Sequence, residues 1–154
     1  MADRFTIELQ GDLLPAIDRA INQLERPRQL MDDIGGVLES AIATRFVTKQ
    51  DPNGAPWAPL SKATLARKAG VGSTLIHRGH MLDSLAHNVG DDWTEVGFSS
   101  VKAAYHETGT KKNDKPHVPR RGMLTGDPES GRLGADDHAA VVAEITAWLN
   151  GVFD

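Results

Sequence analysis

The chain has 154 residues, of which 40% are hydrophobic and 25% charged, and its formal net charge is −4 at pH 7. This length and composition are typical of a single globular domain, taken here as residues 1–154, with a core of its own. The absence of cysteine excludes disulfides, thiolate zinc sites and cysteine nucleophiles, and the net negative charge argues against attraction of the whole protein to DNA or to acidic lipid.

The N-terminal segment contains no apolar signal region and the chain contains no run of about 20 apolar residues, so we expect a protein made in the cytoplasm that does not enter a membrane. Phe5, Ile7 and Leu9 alternate with polar residues, which predicts a half-buried strand. Asp12 then follows as a candidate helix cap, and the apolar spacing predicts a first helix that closes at Pro27.

A second, longer helix is predicted to begin near Pro27 and to end before the Asp51-Pro52-Asn53-Gly54 turn. Gly35-Gly36 lies within it, and glycine is unfavourable in a helix interior. We expect a bend or a close helix crossing there rather than a functional hinge. The predicted apolar stripe consists of Leu30, Ile34, Leu38, Ala41, Ile42 and Phe46.

The central part of the chain predicts several short elements. Ser61 is expected to cap a short helix that Gly70 terminates, and another short helix is expected over residues 79–85. Alternation over residues 86–98 predicts a β-hairpin. A helical piece is expected over residues 101–108 and ends at Gly109.

The C-terminal third begins with a polar segment, residues 110–121, that predicts a long exposed basic loop. Residues 126–134 predict a flexible stretch, and a last helix is expected to be capped by Asp136 or Asp137. The predicted fold class is therefore α+β: a single domain with helices packed on a small antiparallel sheet.

Catalytic and metal-binding motifs are weak or missing. His106-Glu107 resembles the start of a zinc protease helix, but the position four residues after His106 is Thr110. His77 and His80 are three residues apart, without a carboxylate cluster at ligand spacing. We assign no catalytic, cofactor-binding or metal residues, and we predict that the protein is not an enzyme. A metal-dependent hydrolase using His77, His80 and Glu107 stays as a minor alternative.

One basic cluster stands out in the predicted loop: Lys111, Lys112, Lys115, Arg120 and Arg121. Three interpretations are open: a solvated loop, contact with an acidic protein partner, or contact with a phosphate backbone. No aromatic residue is interleaved with these cations, which argues against stacking on single-stranded nucleic acid. The phosphate-backbone interpretation gives the alternative functional hypothesis, a nucleic-acid-binding accessory that acts through residues 111–121.

The tract from Gly54 to Leu60, Gly-Ala-Pro-Trp-Ala-Pro-Leu, resembles the Gly-x-Pro-Trp-x-Pro-Leu signature of the phage virion morphogenesis family, which includes tail completion proteins. Further segments resemble that family in order and spacing: Thr64 to Lys68, Leu75 to Leu85, Val96-Gly97, Ala104 to Gly109, and Val118-Pro119-Arg120-Arg121. Leu82 stands one place later than the usual Leu, and Gly122 and Met123 replace the family's Pro and Phe. The resemblance covers the chain from the second helix to the C-terminal helix.

This resemblance implies a structural protein of a tailed bacteriophage or prophage, located in the virion, that completes the tail end and supports joining of the tail to the head. Its implied partners are the tail tube or tail terminator and the head connector, and its implied assembly is a homo-oligomeric ring. The purified protein can still be monomeric if ring closure requires the tail as template. Partner contacts are expected at the basic cluster and at Trp57. The alternative for Trp57 is a place in the core.

Overall fold

A computed structural model of the protein describes residues 13–153. Within this range the chain forms five α-helices, one short 3-10 helix and four strands. The predicted strand at Phe5–Leu9 and the predicted cap at Asp12 lie outside the described residues. The α-helices are α1 (Leu13–Glu25), α2 (Arg28–Thr48), α3 (Lys62–Lys68), α4 (Lys102–Thr108) and α5 (Ala135–Phe153); the strands are β1 (Leu85–Val89), β2 (Thr94–Phe98), β3 (Thr110–Lys112) and β4 (Lys115–Val118).

The long helix α2 forms the centre of the domain. Its residues Leu30, Ile34, Ile42 and Phe46 are buried, which confirms most of the predicted apolar stripe. The helix passes through both glycines and ends at Lys49, which has a left-handed backbone and donates its N–H to the Arg45 carbonyl. Helix α5 and the strands β1 and β2 pack against α2.

Gly35 is a close-contact point, but the neighbour is a strand and not the second helix that we expected. A Cβ at position 35 would lie 2.5 Å from Cδ2 of His87 on β1 and 2.7 Å from Oγ1 of Thr94 on β2. A Cβ at Gly36 would meet nothing within 4 Å. Only the first glycine is therefore required by packing, because the His87 and Thr94 side chains of the hairpin come too near for a Cβ there.

Helices packed with small antiparallel sheets confirm the predicted α+β fold class, although the strands form two separate hairpins and not one sheet. Strands β1 and β2 pair from Leu85 with Phe98 to Val89 with Thr94, which confirms the predicted hairpin. Strands β3 and β4 correct the prediction of an irregular loop over residues 110–121. Asn113 and Asp114 both have positive φ, 50° and 59°, and so form the tight two-residue turn that joins antiparallel strands.

The core lies between α2, α4, the first hairpin and the Trp57 tract. Its buried members are Ile42, Phe46, Trp57, Met81, Ala103 and Met123. The Phe46 ring meets the Trp57 ring edge-on at a centroid distance of 5.6 Å and the Phe98 ring at 6.0 Å. The edge-on contact suits the ring quadrupoles, and the Phe98 ring is tilted by 58°; one aromatic cluster thus joins a helix, a loop and a strand.

The short elements follow the predictions with local corrections. The Ser61 side chain accepts from the Thr64 N–H and caps α3, as expected, but the left-handed closing residue is Ala69 and Gly70 follows it. The predicted helix over residues 79–85 is reduced to a 3-10 helix, Leu82–Ser84. Helix α4 ends before Gly109, as predicted. No helix among residues 13–153 is both long and apolar enough to cross a membrane.

Helix α5 begins one residue before its two aspartates, so Asp136 and Asp137 lie in its first turn and do not precede it as caps. Asp137 is almost completely buried and forms an ion pair with Arg45 of α2. Arg45 also donates to the Met123 carbonyl at 2.6 Å. The aspartate therefore fixes α5 on α2 and the 122–125 segment. The predicted flexibility of residues 126–134 stays a prediction; these residues form turns.

Candidate partner-binding surface

The Gly54–Leu60 tract starts from a tight turn. The Asp51 Oδ1 atom accepts from the backbone N–H groups of Asn53 and Ala55, each at 2.9 Å. Gly54 has φ of 81°, a conformation that glycine adopts without steric cost. The turn reverses the chain so that the Trp57 N–H donates to the Lys49 carbonyl at 2.7 Å.

The Trp57 side chain points into the core. Its exposure is 7%, and its Nε1–H donates to the Gly122 carbonyl at 2.9 Å. The structure thus places Trp57 where the core alternative expected it, and the indole links the proline-rich tract to the segment that follows β4. A contact between Trp57 and a partner stays a prediction.

Glu107 anchors that same segment from the opposite side. Its buried carboxylate accepts from the backbone N–H groups of Met123, Leu124 and Thr125 at 2.6, 3.0 and 3.0 Å, and from the Thr125 hydroxyl at 2.8 Å. These four donors occupy both oxygens of the carboxylate and hold the 123–125 backbone against α4. The Glu107 carboxylate therefore has a structural role here. The hydrolase hypothesis required it to bind a metal, whereas it binds the backbone of residues 123–125.

Arg120 and Arg121 lie at the base of the second hairpin and are not exposed as the loop prediction implied. Arg120 donates to the carbonyls of Glu107 and Thr125, both at 2.9 Å. Arg121 has 5% exposure and donates to the carbonyls of Ala58 and Pro59, at 2.8 and 3.0 Å. Burial lowers the pKa of the Arg121 guanidinium. Both arginines donate to backbone carbonyls, a role that suits the several N–H donors of a guanidinium group.

Lys111, Lys112 and Lys115 make up the lysine tip, the exposed end of the second hairpin. Lys111 pairs with Pro116 and Lys112 with Lys115 across the strands. Each hairpin strand has a free edge, which is where a proline is tolerated. The structure therefore divides the predicted basic cluster into three exposed lysines and two arginines used by the fold.

A cleft runs from the second hairpin along α3. Its larger cavity has a volume of about 630 Å³, and its apolar lining includes Pro59, Leu60 and Val118. The cavity is also lined by three cations, Arg67, Lys68 and Arg121, and by three histidines, His77, His106 and His117. Lys68 donates to the carbonyls of Ser73 and Ile76, at 2.7 and 2.5 Å, and so holds the turn that forms one wall.

A smaller cavity of about 340 Å³ shares Leu75, His77 and His106 with the larger one, so the two cavities are neighbours and are together called the cleft. The smaller cavity adds the cations Arg78 and Lys102. Among the described residues that line either cavity there is no aspartate or glutamate. The cleft is thus a strongly basic region on a chain whose net charge is −4.

His106 lies where the two cavities meet. Its Nδ1 atom is buried and has no hydrogen-bond partner in the part of the chain that the structure describes. Burial, and next the nearby Arg121 guanidinium, lowers the pKa of His106, so the ring is neutral at neutral pH. His106 therefore adds no positive charge to that of the arginines and lysines of the cleft.

His77 and His80 both line the smaller cavity, whereas Glu107 lines neither. Residues 13–153 contain no group of three or more histidine, aspartate or glutamate side chains that could hold a metal ion. The trio proposed for the hydrolase alternative is therefore not brought together as a site.

The cleft was missed by sequence reasoning because its cations come from α3, the 75–80 turn, α4 and the segment after β4. These cations are dispersed along the sequence and follow no periodic spacing, so no local pattern marks them as one surface. Local clustering singled out only residues 111–121, and two of those five cations turned out to be structural. Only the arrangement of the elements in space makes the cleft visible.

Comparison with known proteins gives one match. The model of the phage virion morphogenesis family matches residues 10–150, which is nearly the whole chain. No curated protein matches, and no solved structure matches. The matched range includes the Trp57 tract, both hairpins, the cleft and most of α5. The chain belongs to the phage virion morphogenesis family.

Proposed function

We propose that this protein completes the tail end of a tailed phage particle and supports stable joining of the tail to the filled head. It does so by protein–protein binding and without catalysis. Membership of the phage virion morphogenesis family supports a role in building the particle. The structural feature that supports tail completion by protein–protein binding is the lysine tip, which leaves three cations exposed beside a basic cleft.

The lysine tip is the part of the predicted site that meets a partner directly. Its three ammonium groups suit an acidic protein surface, such as one on the tail tube, the tail terminator or the head connector. Trp57, Arg120 and Arg121 support the tip from below. They connect the base of the hairpin to the core through the carbonyls of Gly122, Glu107 and Ala58.

The working form in the particle is a homo-oligomeric ring, because tail and connector assemblies are cyclic and cyclic assemblies use two different surfaces of each copy. The protein is made in the cytoplasm of the bacterial host and is then incorporated into the virion. In solution it can be monomeric until the tail provides a template.

Inactivation of the gene in the parent phage tests this function. We expect negative-stain electron microscopy to show filled heads separate from free, overlong or frayed tails, and we expect added purified protein to restore joining. Normal, infectious particles made without the gene would show that the proposed function is wrong.

The second candidate is a nucleic-acid-binding accessory, which the same exposed lysines favour and the net charge of −4 opposes. Backbone binding releases counterions and must weaken as salt is raised. A salt-sensitive shift of double-stranded DNA that disappears when Lys111, Lys112 and Lys115 become Glu would support it. DNA retention that does not respond to salt would exclude it.

A further inference from the structure

The turn of the first hairpin has the opposite charge to the cleft. Asp91 and Asp92 occupy this turn and are exposed, with the Asp91 side chain 85% accessible. The next residue, Trp93, is 49% exposed. The Arg28 guanidinium lies 3.6 Å from the Asp91 carboxylate and offsets part of its charge. This acidic tip, residues 90–93, is an exposed turn that carries two carboxylates and one half-exposed indole ring, which lies against Gly90.

The surroundings of the acidic tip are acidic too. Asp32 and Asp33 are consecutive residues of α2, and Glu95 lies on β2 beside Asn88. Arg28 and His87 pair with some of these carboxylates, but carboxylates outnumber cations around the first hairpin, whereas cations line the cleft. Complementary charge of this kind steers two surfaces together and fixes their orientation.

The shapes agree with the charges. A volume of about 630 Å³ lies within the range of roughly 300–1,000 Å³ over which protein clefts accept a compact group. The apolar lining residues Pro59, Leu60 and Val118 suit an indole ring, while the exposed Arg67 suits a carboxylate. Exposed tryptophan and arginine are the side chains most often found to dominate protein interfaces.

We propose that the acidic tip of one copy of this protein inserts into the basic cleft of the next copy, with Trp93 against the apolar lining residues and Asp92 near Arg67. The two surfaces differ, so the contact is heterologous and repeats from copy to copy, closing a ring or extending a filament. This inference rests on the ring in the proposed function and identifies the surfaces that build it.

Engineered disulfides test the contact directly, since the natural chain has no cysteine. His117 is exposed at the cleft, and a variant carrying both Asp92→Cys and His117→Cys places one thiol on each surface. Under mild oxidation of concentrated protein, and of particles that contain it, we expect a ladder of covalent oligomers. Each single-cysteine variant can give only a dimer.

The matched control pairs Asp92→Cys with Arg19→Cys, an exposed position on α1 outside the cleft. A ladder from the first pair and not from the second supports the interface. The absence of a ladder from the first pair, in protein and in particles alike, would overturn it. Ladders of equal yield from both pairs would overturn it as well, because they would report collision and not docking.

Charge reversal adds a readout in the phage. Asp92→Lys and Arg67→Glu should each lower the titre of a complemented gene-deficient phage about tenfold or more, since like charges opposed in an interface resist association. The double variant should recover most of that titre. A double variant no better than its weaker parent would count against the pairing.

These results separate the interface from the function. If Arg67→Glu particles are normal while loss of the gene still leaves heads and tails apart, the interface is wrong and the proposed function stands. If a labelled DNA oligonucleotide binds the protein, is released by Arg67→Glu, and no ladder forms, the cleft binds nucleic acid and the interface is again wrong.

Discussion

The two β-hairpins of this molecule have the same antiparallel pairing and different surroundings. The first hairpin, β1 and β2, lies on α2 so closely that residue 35 must be glycine. The second, β3 and β4, exposes nearly all of its residues and ends in the lysine tip. Isolated two-stranded hairpins are marginally stable in water, so each requires a different source of support.

The first hairpin is supported along its length. His87 of β1 contacts two carboxylates of α2, with Nδ1 2.5 Å from Glu39 and Nε2 3.2 Å from Asp32. The second hairpin is supported at its base, where Glu107, Arg120 and Trp57 fix the segment that follows it. An exposed basic surface is thus held in place through its base, which joins the core, and not through its strands.

The largest expected effect concerns that base. Trp57→Ala should lower the free energy of unfolding by roughly 3–5 kcal/mol, because it removes a buried ring and opens a cavity in the core. Trp93→Ala, in the exposed turn of the first hairpin, is the matched control and should change it by about 0.5 kcal/mol or less. Urea unfolding followed by circular dichroism measures both. If Trp57→Ala melts like the parent and fails only in assembly, Trp57 is an interface residue instead.

The adjacent glycines of α2 give the next effect, with opposite signs. Gly35→Ala should destabilise the protein by about 1–3 kcal/mol, because its Cβ overlaps the hydrogen-bonded His87 ring. Gly36→Ala, one residue away with open space around it, should stabilise the protein by up to about 1 kcal/mol through helix propensity. Thermal and urea unfolding of the pair decides this. Equal effects would mean that the first hairpin does not dock as described.

His87 gives a smaller, pH-dependent effect. Hydrogen bonds to Glu39 and then to Asp32 raise the pKa of His87 above its usual value of 6.5. A raised folded-state pKa means that its stabilisation is complete below the unfolded value and is lost as the pH rises through the folded value. For this partly exposed cluster we expect a contribution of about 1 kcal/mol or less.

The measurement is the urea midpoint of the wild type and of His87→Gln over a pH series that begins below 6.5. The difference between the two should be greatest at the acidic end and should shrink as the pH rises. His117→Gln, at an exposed position on the second hairpin, is the control and should parallel the wild type. If the difference in urea midpoint between the wild type and His87→Gln stays constant with pH, a charged His87 does not stabilise the first hairpin.

The elements with strong local signals could be predicted from the sequence. The apolar stripe of α2, the Ser61 cap and the alternation around Gly90-Asp91 each depend on neighbours in the chain, and each was confirmed. The β3–β4 hairpin was missed because Pro116 and the lysines suggested a loop. Its turn depends on Asn113 and Asp114, which both adopt the left-handed backbone.

The site was less accessible to prediction, because burial of a charge depends on distant partners. Arg121 lies in the same basic run as Lys111, yet it donates to Ala58 and Pro59, more than 60 residues earlier in the chain. Asp137 looked like a helix cap and instead pairs with Arg45 of α2. Nothing local in the sequence distinguishes a cation that binds buried carbonyls from one that stays exposed.

The lysine tip should give the smallest effect on stability and a large one on function. Changing Lys111, Lys112 and Lys115 together to Glu should alter the free energy of unfolding by only about 0.5 kcal/mol, because these side chains are exposed. We nevertheless expect the variant to fail in restoring joined particles to a gene-deficient phage. The control converts Arg19, Arg26 and Lys62, which are also exposed, to Glu and should complement normally.

Complementation by the lysine-tip variant would show that the tip makes no required contact. The reason to expect otherwise lies in the pairing itself. Lys112 stands directly opposite Lys115 across the strands, and like charges in that position are destabilising. The hairpin carries this repulsion at a solvent-exposed end, where it contributes nothing to the core. We therefore expect an acidic surface on another protein to neutralise these lysines, because that contact explains a charge arrangement that opposes the local fold.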